Sequence, residues 1–331
     1  MSLMTTKNVF VDAVSAAVRA LWDTTVLSQD SALYGPSLGF TQYEPDVPAE
    51  QVSTISGPGK GVLTIEGQQY GANSRYRGYP VTVSLDKFTS ELKWTEEDLH
   101  WLKKMPSSKR ATNLKNEVEG AVNALYANLN EEACKVYYLG HGTTNLTGGD
   151  GFQLFYKAHT LRAGGTQANN FGTGDTERAF SADNFVEAVN RMNRFQDHNA
   201  RQMLKTRNLR VITSVELEPT VQQALMSLYG PLNANLGLQK GSKGAFAGRG
   251  VNVDYIVAPD VPYAYRNYWE VIDLDRAKYL SFLAAAWMPR MADEDEKSKG
   301  VYKNEASTLF GYYFAGWQHA FGSKGDASSI S

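Results

Sequence analysis

Three polar residues in the middle of the sequence have side chains that could support acid–base chemistry. His141 and His159 flank Asp150, and a histidine beside a carboxylate is a common arrangement for proton transfer near neutral pH. The same pattern also fits an interpretation without chemistry, in which both histidines are loop residues hydrogen-bonded to the backbone. We favour the second interpretation and predict no catalytic residue here.

A second candidate is Ser37, within Gly35-Pro36-Ser37-Leu38-Gly39. This order matches the nucleophile elbow, which holds a serine on a strained turn between a strand and a helix. The residues that follow, 40–48, are interrupted by prolines and indicate an extended chain, so no helix start is available to support an oxyanion hole. We therefore interpret this motif as a Gly-Pro turn in an arm.

Metal and nucleotide sites find no support in the sequence. The five histidines include no pair four residues apart and no His-x-Glu arrangement, which a zinc hydrolase would need. The one cysteine, Cys134, falls in a helical pattern and is predicted to be core. The glycines of 237–250 do not follow the order of a phosphate-binding loop. We predict no metal, no cofactor and no enzymatic activity.

Composition excludes some classes of protein. The chain has 331 residues, with 33 basic against 35 acidic side chains, so it is not a globally basic nucleic-acid binder, although local basic patches stay open. We find neither a run of 18 apolar residues nor a charged and then apolar leader, and we expect a cytoplasmic origin. The length suits one elaborated domain or two.

The first third of the chain predicts segments that extend away from the folded domain. An amphipathic helix with Thr6 as its N-cap is followed by a segment rich in glycine and proline, 31–61, which predicts an extended arm. Two strand patterns, 62–66 and 79–85, predict a protruding two-stranded ribbon. Because such ribbons are marginal alone in water, we expect the arm and the ribbon to lie on another surface, including sister copies.

The central part predicts a long helix as a scaffold. Thr95 caps a short helix that ends at Pro106, and an apolar stripe then runs from Ser107 to about Val136. At 1.5 Å per residue this helix would be about 45 Å long. Further on, Ser181 caps a helix, a strand at 209–217 leads into a helix with Pro219 in its first turn, and strands follow at 251–258 and 269–274. The run 279–287 fits strand or helix, 293–300 predicts a solvated turn, and 308–321 predicts a final strand.

The order of these elements resembles the major capsid proteins of tailed phages of the Hong Kong 97 type, with Mu-like head subunits nearest. The resemblance is carried by Asp150-Gly151 with Leu154-Phe155 and His159, by 209–225, and by 301–317. It implies an α+β fold. It also implies an N-terminal helix and arm (1–60), an extended two-stranded loop (61–92), a peripheral domain with the spine helix (93–208), an axial domain (209–275) and strands returning to the peripheral domain (276–331).

The resemblance further implies a function without chemistry, namely self-assembly into hexamers and pentamers of an icosahedral or prolate shell around phage double-stranded DNA. The extended loop would contact a neighbouring subunit through Tyr70, Arg75, Tyr76, Arg77 and Tyr79. Candidates for the DNA-facing wall are Lys103, Lys104, Lys109, Arg110 and Lys115, and for a basic axial loop Lys240, Lys243 and Arg249. A solvated helix end and an ordinary surface loop are the respective alternatives.

Separate scaffolding, portal and cement proteins would be the partners of such a subunit, with assembly in the bacterial cytoplasm and residence in the virion. Two other hypotheses stay open. One is an encapsulin-like nanocompartment shell of the same fold, and the other is a soluble hydrolase with a site near His141, Asp150 and His159.

Overall fold

The computed structural model describes residues 2–28, 33–47, 49–56, 76–142, 146–171, 177–198, 200–229, 250–292, 296–298 and 301–325. Its helices are α1 (Ser2–Ser28), α2 (Glu96–Lys104), α3 (Ser107–Tyr138), α4 (Ala182–Met192), α5 (Glu218–Tyr229) and α6 (Leu274–Leu280). Its strands are β1 (Thr41–Tyr43), β2 (Ala49–Ser56), β3 (Tyr76–Ser84), β4 (Asp86–Thr95), β5 (His159–Thr160), β6 (Thr166–Gln167), β7 (Asn208–Thr213), β8 (Asn252–Val257), β9 (Trp269–Asp273), β10 (Ser281–Met291), β11 (Glu296–Ser298), β12 (Val301–Phe314) and β13 (Ala320–Ser323). The fold mixes helix and sheet, as the sequence predicts.

The larger sheet is built around β12. β10 and β4 both pair with it in antiparallel fashion, β1 adds to β10 in parallel, and β11 forms a short hairpin with the start of β12. The apolar run that periodicity could not assign to strand or helix is mostly β10, preceded by the short helix α6.

The second sheet has the order β13-β9-β7-β8. β7 and β8 are parallel and α5 lies between them in the sequence, since a parallel connection needs a crossover rather than a tight turn. β9 is antiparallel to β7 and to β13. Every residue of β9 is buried, so this strand forms the centre of the sheet.

The long helix predicted from the apolar stripe is present as α3, Ser107–Tyr138. Val118, Val122, Leu125 and Leu129 are fully buried along one face, which follows from their spacing of three and four residues. The preceding helix α2 begins with the predicted cap. Thr95 accepts a hydrogen bond from the Asp98 backbone at 3.2 Å, and Asp98 accepts one from the Thr95 backbone at 2.9 Å.

The first helix is longer than predicted, because α1 begins at Ser2 and Thr6 lies inside it. Val14, Val18 and Trp22 repeat every four residues and are buried in the same core as α3. The Tyr126 hydroxyl of α3 donates to the Val26 carbonyl at 3.2 Å. The helix therefore packs on its own chain.

The predicted arm is corrected in its first part, which folds onto its own chain. Asn130 of α3 accepts hydrogen bonds from the backbone N–H groups of Tyr34 and Gly35, at 3.1 and 2.8 Å. Leu38 is fully buried, and Phe40 packs on Tyr312 with ring centroids 4.6 Å apart. Apolar side chains and one buried amide thus hold this segment without a partner copy.

The predicted ribbon is present with a different first strand. β2 pairs with β3 in antiparallel register, so the ribbon begins within the expected arm, whereas 62–66 lies outside the described residues. Its base packs on its own chain, because Val81 and Val83 are buried against Ala284 and Tyr313. A Cβ atom on Gly149 would lie 2.7 Å from the Tyr79 carbonyl oxygen. The loop that contains Gly149 can therefore approach the ribbon this closely only with glycine at this position.

The predicted final strand, 308–321, is two strands in different sheets. β12 ends at Phe314, and β13 pairs with β9. The last strand therefore joins the sheet of β7, β8 and β9 and does not return to the sheet of β10. The connecting residues 315–319 are all buried. Because every residue of the turn is buried, the sequence has no change in the pattern of apolar and polar residues that would mark the turn.

Candidate functional site

Ser37 lies in a 3-10 turn, as the Gly-Pro interpretation predicts. Its hydroxyl donates to the Tyr34 carbonyl at 2.5 Å, and its own carbonyl accepts from the Arg210 guanidinium. Gly39 follows with φ of 111°, and the chain continues into β1 rather than a helix. The geometry of a nucleophile elbow is absent from this described segment.

His159 and Asp150 do come together, and both side chains are buried. The His159 Nδ1 atom is 2.6 Å from Asp150 Oδ2, and Nε2 is 3.2 Å from both the Leu154 carbonyl and Asn169 Oδ1. The imidazole stacks on Trp317 at 4.6 Å between centroids. Nε2 faces two oxygen acceptors and therefore donates to them, while Nδ1 shares a hydrogen bond with the Asp150 carboxyl group.

Asn169 extends this network to the end of the chain. Its side-chain nitrogen donates to the carbonyls of Leu154 and Ala320, at 2.7 and 3.2 Å, and its side-chain oxygen accepts from the Tyr156 backbone at 2.9 Å. The cluster joins the loop after α3 to the turn before β13. Since His159 has no exposed surface, this arrangement suits a structural clasp better than a site that must admit a substrate.

His141 takes no part in that clasp. Its Nε2 atom lies 3.3 Å from Glu270 Oε1, and both side chains are buried. Desolvation raises the pKa of Glu270 to about 8. Desolvation, together with the positive charge of Lys324, lowers the pKa of His141 to about 3. Both shifts favour the uncharged form, so near neutral pH we expect a neutral hydrogen bond in which the Glu270 carboxylic acid donates to the imidazole. The acid–base interpretation that the sequence left open would need His141 near Asp150 and His159, and His141 pairs with Glu270 instead.

Sequence reasoning missed Glu270. The available signal was a glutamate between apolar residues in a predicted strand, where one face at least must be buried. In the structure both faces of β9 are covered, and an acid in such a strand is expected to be protonated or paired.

The basic cluster at the start of α3 is only partly available for a partner. Arg110 donates to the carbonyls of Leu102, Lys103 and Met105, at 2.9, 3.1 and 3.1 Å, and so closes the end of α2. Lys115 pairs with Glu119 at 3.5 Å. Arg110 therefore caps α2, because the carbonyls at the end of a helix need donors, and its DNA-facing role stays a prediction.

Lys104 and Lys109 line an open groove of about 590 Å³ at the junction of α2 and α3. Trp101, Met105 and Pro106 give the groove an apolar side, and Trp101 is 61% exposed. The Lys104 ammonium lies 5.1 Å from the centroid of the Trp101 ring. An exposed tryptophan between lysines is a typical feature of a contact surface, and the sequence analysis did not identify it.

Several predicted contact residues fall outside what the structure describes. Tyr70, Arg75, Lys240, Lys243 and Arg249 lie outside the described residues, and for Tyr76 and Arg77 only the backbone, in β3, is described. Tyr79 is partly buried and makes an edge contact with the ring of His198, at 5.3 Å. It therefore contacts its own chain at the base of the ribbon.

Within the described ranges, no group of three or more histidine, cysteine or acidic side chains could hold a metal ion. No described helix is long and apolar enough to cross a membrane.

Solved structures of phage capsids share this fold. The chain is similar to the capsid of Ralstonia phage GP4 with a TM-score of 0.53 and 10% identity, over 88% of this chain and 88% of that one. It is similar to the capsid of Myoviridae phage XM1 with a TM-score of 0.50 and 13% identity, over 89% and 92%, and to the capsid of cyanophage P-SCSP1u with a TM-score of 0.50 and 12% identity, over 86% and 85%. No protein-family model and no curated protein matches the sequence. The chain has the fold of these phage capsid proteins.

Proposed function

We propose that this chain is the major subunit of a virion shell of the Hong Kong 97 type, icosahedral or prolate, which encloses phage double-stranded DNA. The observation that carries the proposal is the likeness of fold to phage capsids, which extends over almost nine tenths of both chains. A capsid subunit needs a rigid body and surfaces that bind neighbours, and it needs no chemistry. The burial of His141 and His159 agrees with a function that needs no chemistry.

The proposal assigns each part of the chain to a domain of the capsid subunit. The ribbon of β2 and β3 corresponds to the extended loop that lies on a neighbour, α3 is the spine of a peripheral domain, and the sheet of β7, β8 and β9 belongs to an axial domain at the centre of hexamers and pentamers. Obligate interfaces of this kind bury about 2,000 Å² or more. Scaffolding, portal and cement proteins would be separate partners, and assembly would occur in the bacterial cytoplasm.

Assembly tests the proposal directly. The purified chain, studied by negative-stain electron microscopy and sedimentation velocity, is expected to form closed shells or rings of subunits. A chain that stays monomeric across protein concentrations, salt concentrations and additions of scaffold from the same genome would refute it. Two observations favour a shell subunit over the hydrolase hypothesis, namely that His141 lies in a separate buried pair and that His159 has no exposed surface.

The cargo distinguishes the shell of a virion from the nanocompartment alternative, which shares the fold. Particles isolated from the bacterial host are expected to protect double-stranded DNA from nuclease. Contacts to DNA would be to phosphate and independent of sequence, so their strength should fall with salt. Particles that contain a protein cargo and no protected DNA would favour the nanocompartment.

A further inference from the structure

A short exposed loop connects the arm to the ribbon. Residues 44–47, here called the acidic loop, carry the carboxylates of Glu44 and Asp46, both exposed, and Val47 is 49% exposed. The loop is held at both ends, because Tyr43 pairs with Ala284 of β10 and the ribbon strand β2 begins at residue 49. It therefore presents two negative charges and an apolar side chain from a fixed position.

The surface that complements this loop is the groove at the junction of α2 and α3, here called the Trp101 groove. Its described lining contains Lys104 and Lys109 and no carboxylate, next to the apolar surface of Trp101, Met105 and Pro106. A loop with acidic and apolar groups matches both parts of the groove. Phosphate would use only the lysines and would leave the exposed indole without a partner, so the apolar part favours a protein segment over DNA.

Within one chain, the acidic loop lies near the start of β4, and the Trp101 groove lies at the end of β4. Asp86, at the start of β4, pairs with Phe310, whose neighbour Gly311 pairs with Ala284 beside the acidic loop. Thr95, at the other end of β4, leads directly into α2 and the groove. Ten strand residues at about 3.3 Å each separate the two ends by about 30 Å. The four-residue loop is anchored on both sides and cannot span that distance.

We propose that the acidic loop of one copy docks into the Trp101 groove of a neighbouring copy. The inference rests on the proposed shell function and names one of its contacts. Because the two surfaces differ, the contact is head to tail, and such contacts generate rings when the rotation closes. Val47 would pack beside Trp101, while Glu44 and Asp46 would face Lys104 and Lys109.

Cross-linking in assembled particles tests this contact. Val47→Cys combined with Asn113→Cys, a residue of the groove lining, is expected to give inter-subunit products with a short bis-maleimide. The only native cysteine, Cys134, is buried and should not react. The matched control pairs Val47→Cys with Ser227→Cys, an exposed position on α5, and should give several-fold less product. Equal product from the two pairs, or none from assembled particles, would overturn the inference and leave the shell proposal standing.

Exchanging the charges of the loop and the groove tests the same contact without cysteines. This test still applies if the cysteine variants fail to assemble. Glu44→Lys with Asp46→Lys, or Lys104→Glu with Lys109→Glu, should each reduce the fraction of assembled subunits in sedimentation, and the combination of all four should recover it. Absence of recovery would overturn the inference. So would groove variants that assemble normally but lose nuclease-protected DNA, since the lysines would then face the cargo. Failure of the wild-type chain to assemble would instead reject the proposed function.

Discussion

Glu270 is expected to make the folded chain less stable as the pH rises, and Glu270→Gln should remove that effect. Burial raises the pKa of this carboxyl from an ordinary value of 4.5 to about 8 in the folded chain. Between these two values the folded chain holds a proton that the unfolded chain has released, so the free energy of unfolding falls with increasing pH. The loss begins above pH 4.5 and is complete once the pH exceeds about 8.

The size of the effect follows from the same two values. Each pH unit within that window costs about 1.4 kcal/mol, so roughly 3 kcal/mol is lost by pH 7 and roughly 5 kcal/mol above pH 8, as upper bounds. Glutamine has nearly the same shape, is never ionised, and keeps a donor for the His141 imidazole. The variant should therefore equal the wild type near pH 4.5 and exceed it increasingly up to pH 8.

Urea unfolding of the unassembled subunit between pH 4.5 and 9 measures this difference. Titration of His141 affects both proteins in the same direction, because its lowered pKa reduces stability only as the pH falls below 6.5. Glu216→Gln, at an exposed carboxylate, is the control and should show a constant difference from the wild type. If Glu270→Gln is less stable than the wild type at pH 7, Glu270 is ionised and forms an ion pair with His141, and the argument from burial fails.

Three further substitutions have definite expected outcomes in the same unfolding assay. Asn130→Ala removes the acceptor for two backbone N–H groups and should lower the free energy of unfolding by about 2–3 kcal/mol; a loss below 0.5 kcal/mol would mean that water replaces the amide. His159→Phe keeps the stacking on Trp317 but leaves the buried Asp150 carboxyl group without its hydrogen bond to the imidazole, so a loss of about 1–3 kcal/mol is expected, and an unchanged free energy of unfolding would contradict a stabilising clasp. Gly120→Ala should stabilise the chain by about 0.5–1 kcal/mol, because a Cβ atom there contacts nothing within 4 Å and alanine is the better helix former; destabilisation of the unassembled subunit would contradict this.

Local patterns predicted the helices well because each depends on neighbouring residues. The Thr95 cap and the Ser181 cap are both present, the second with the serine oxygen accepting from the Asn184 backbone at 3.2 Å. The apolar stripe of α3 has the expected period from Leu114 to Ala133. In each case the deciding contacts lie within four residues, a range that a sequence pattern can record.

The path of the arm and the site chemistry depended on contacts distant in the sequence. Asn130 binds the arm from almost one hundred residues away, and nothing in its own surroundings in the apolar stripe marks it as more than a polar interruption. His141 pairs with Glu270, and His159 reaches Ala320 through Asn169. Proximity in sequence suggested the wrong partner for His141, because the fold decides which buried acid meets which imidazole.

The buried passage from β12 to β13 has a mechanical consequence. One continuous segment leaves the larger sheet, crosses residues 315–319 and enters the smaller sheet, with the Trp317 ring fixed on the His159 clasp. Because residues 315–319 are buried throughout, we expect the two sheets to keep their relative orientation when the protein moves. In the shell that we propose, the subunit must fit both five-fold and six-fold positions. The ribbon and the acidic loop would then change conformation between these positions, while the two sheets would move as one rigid body.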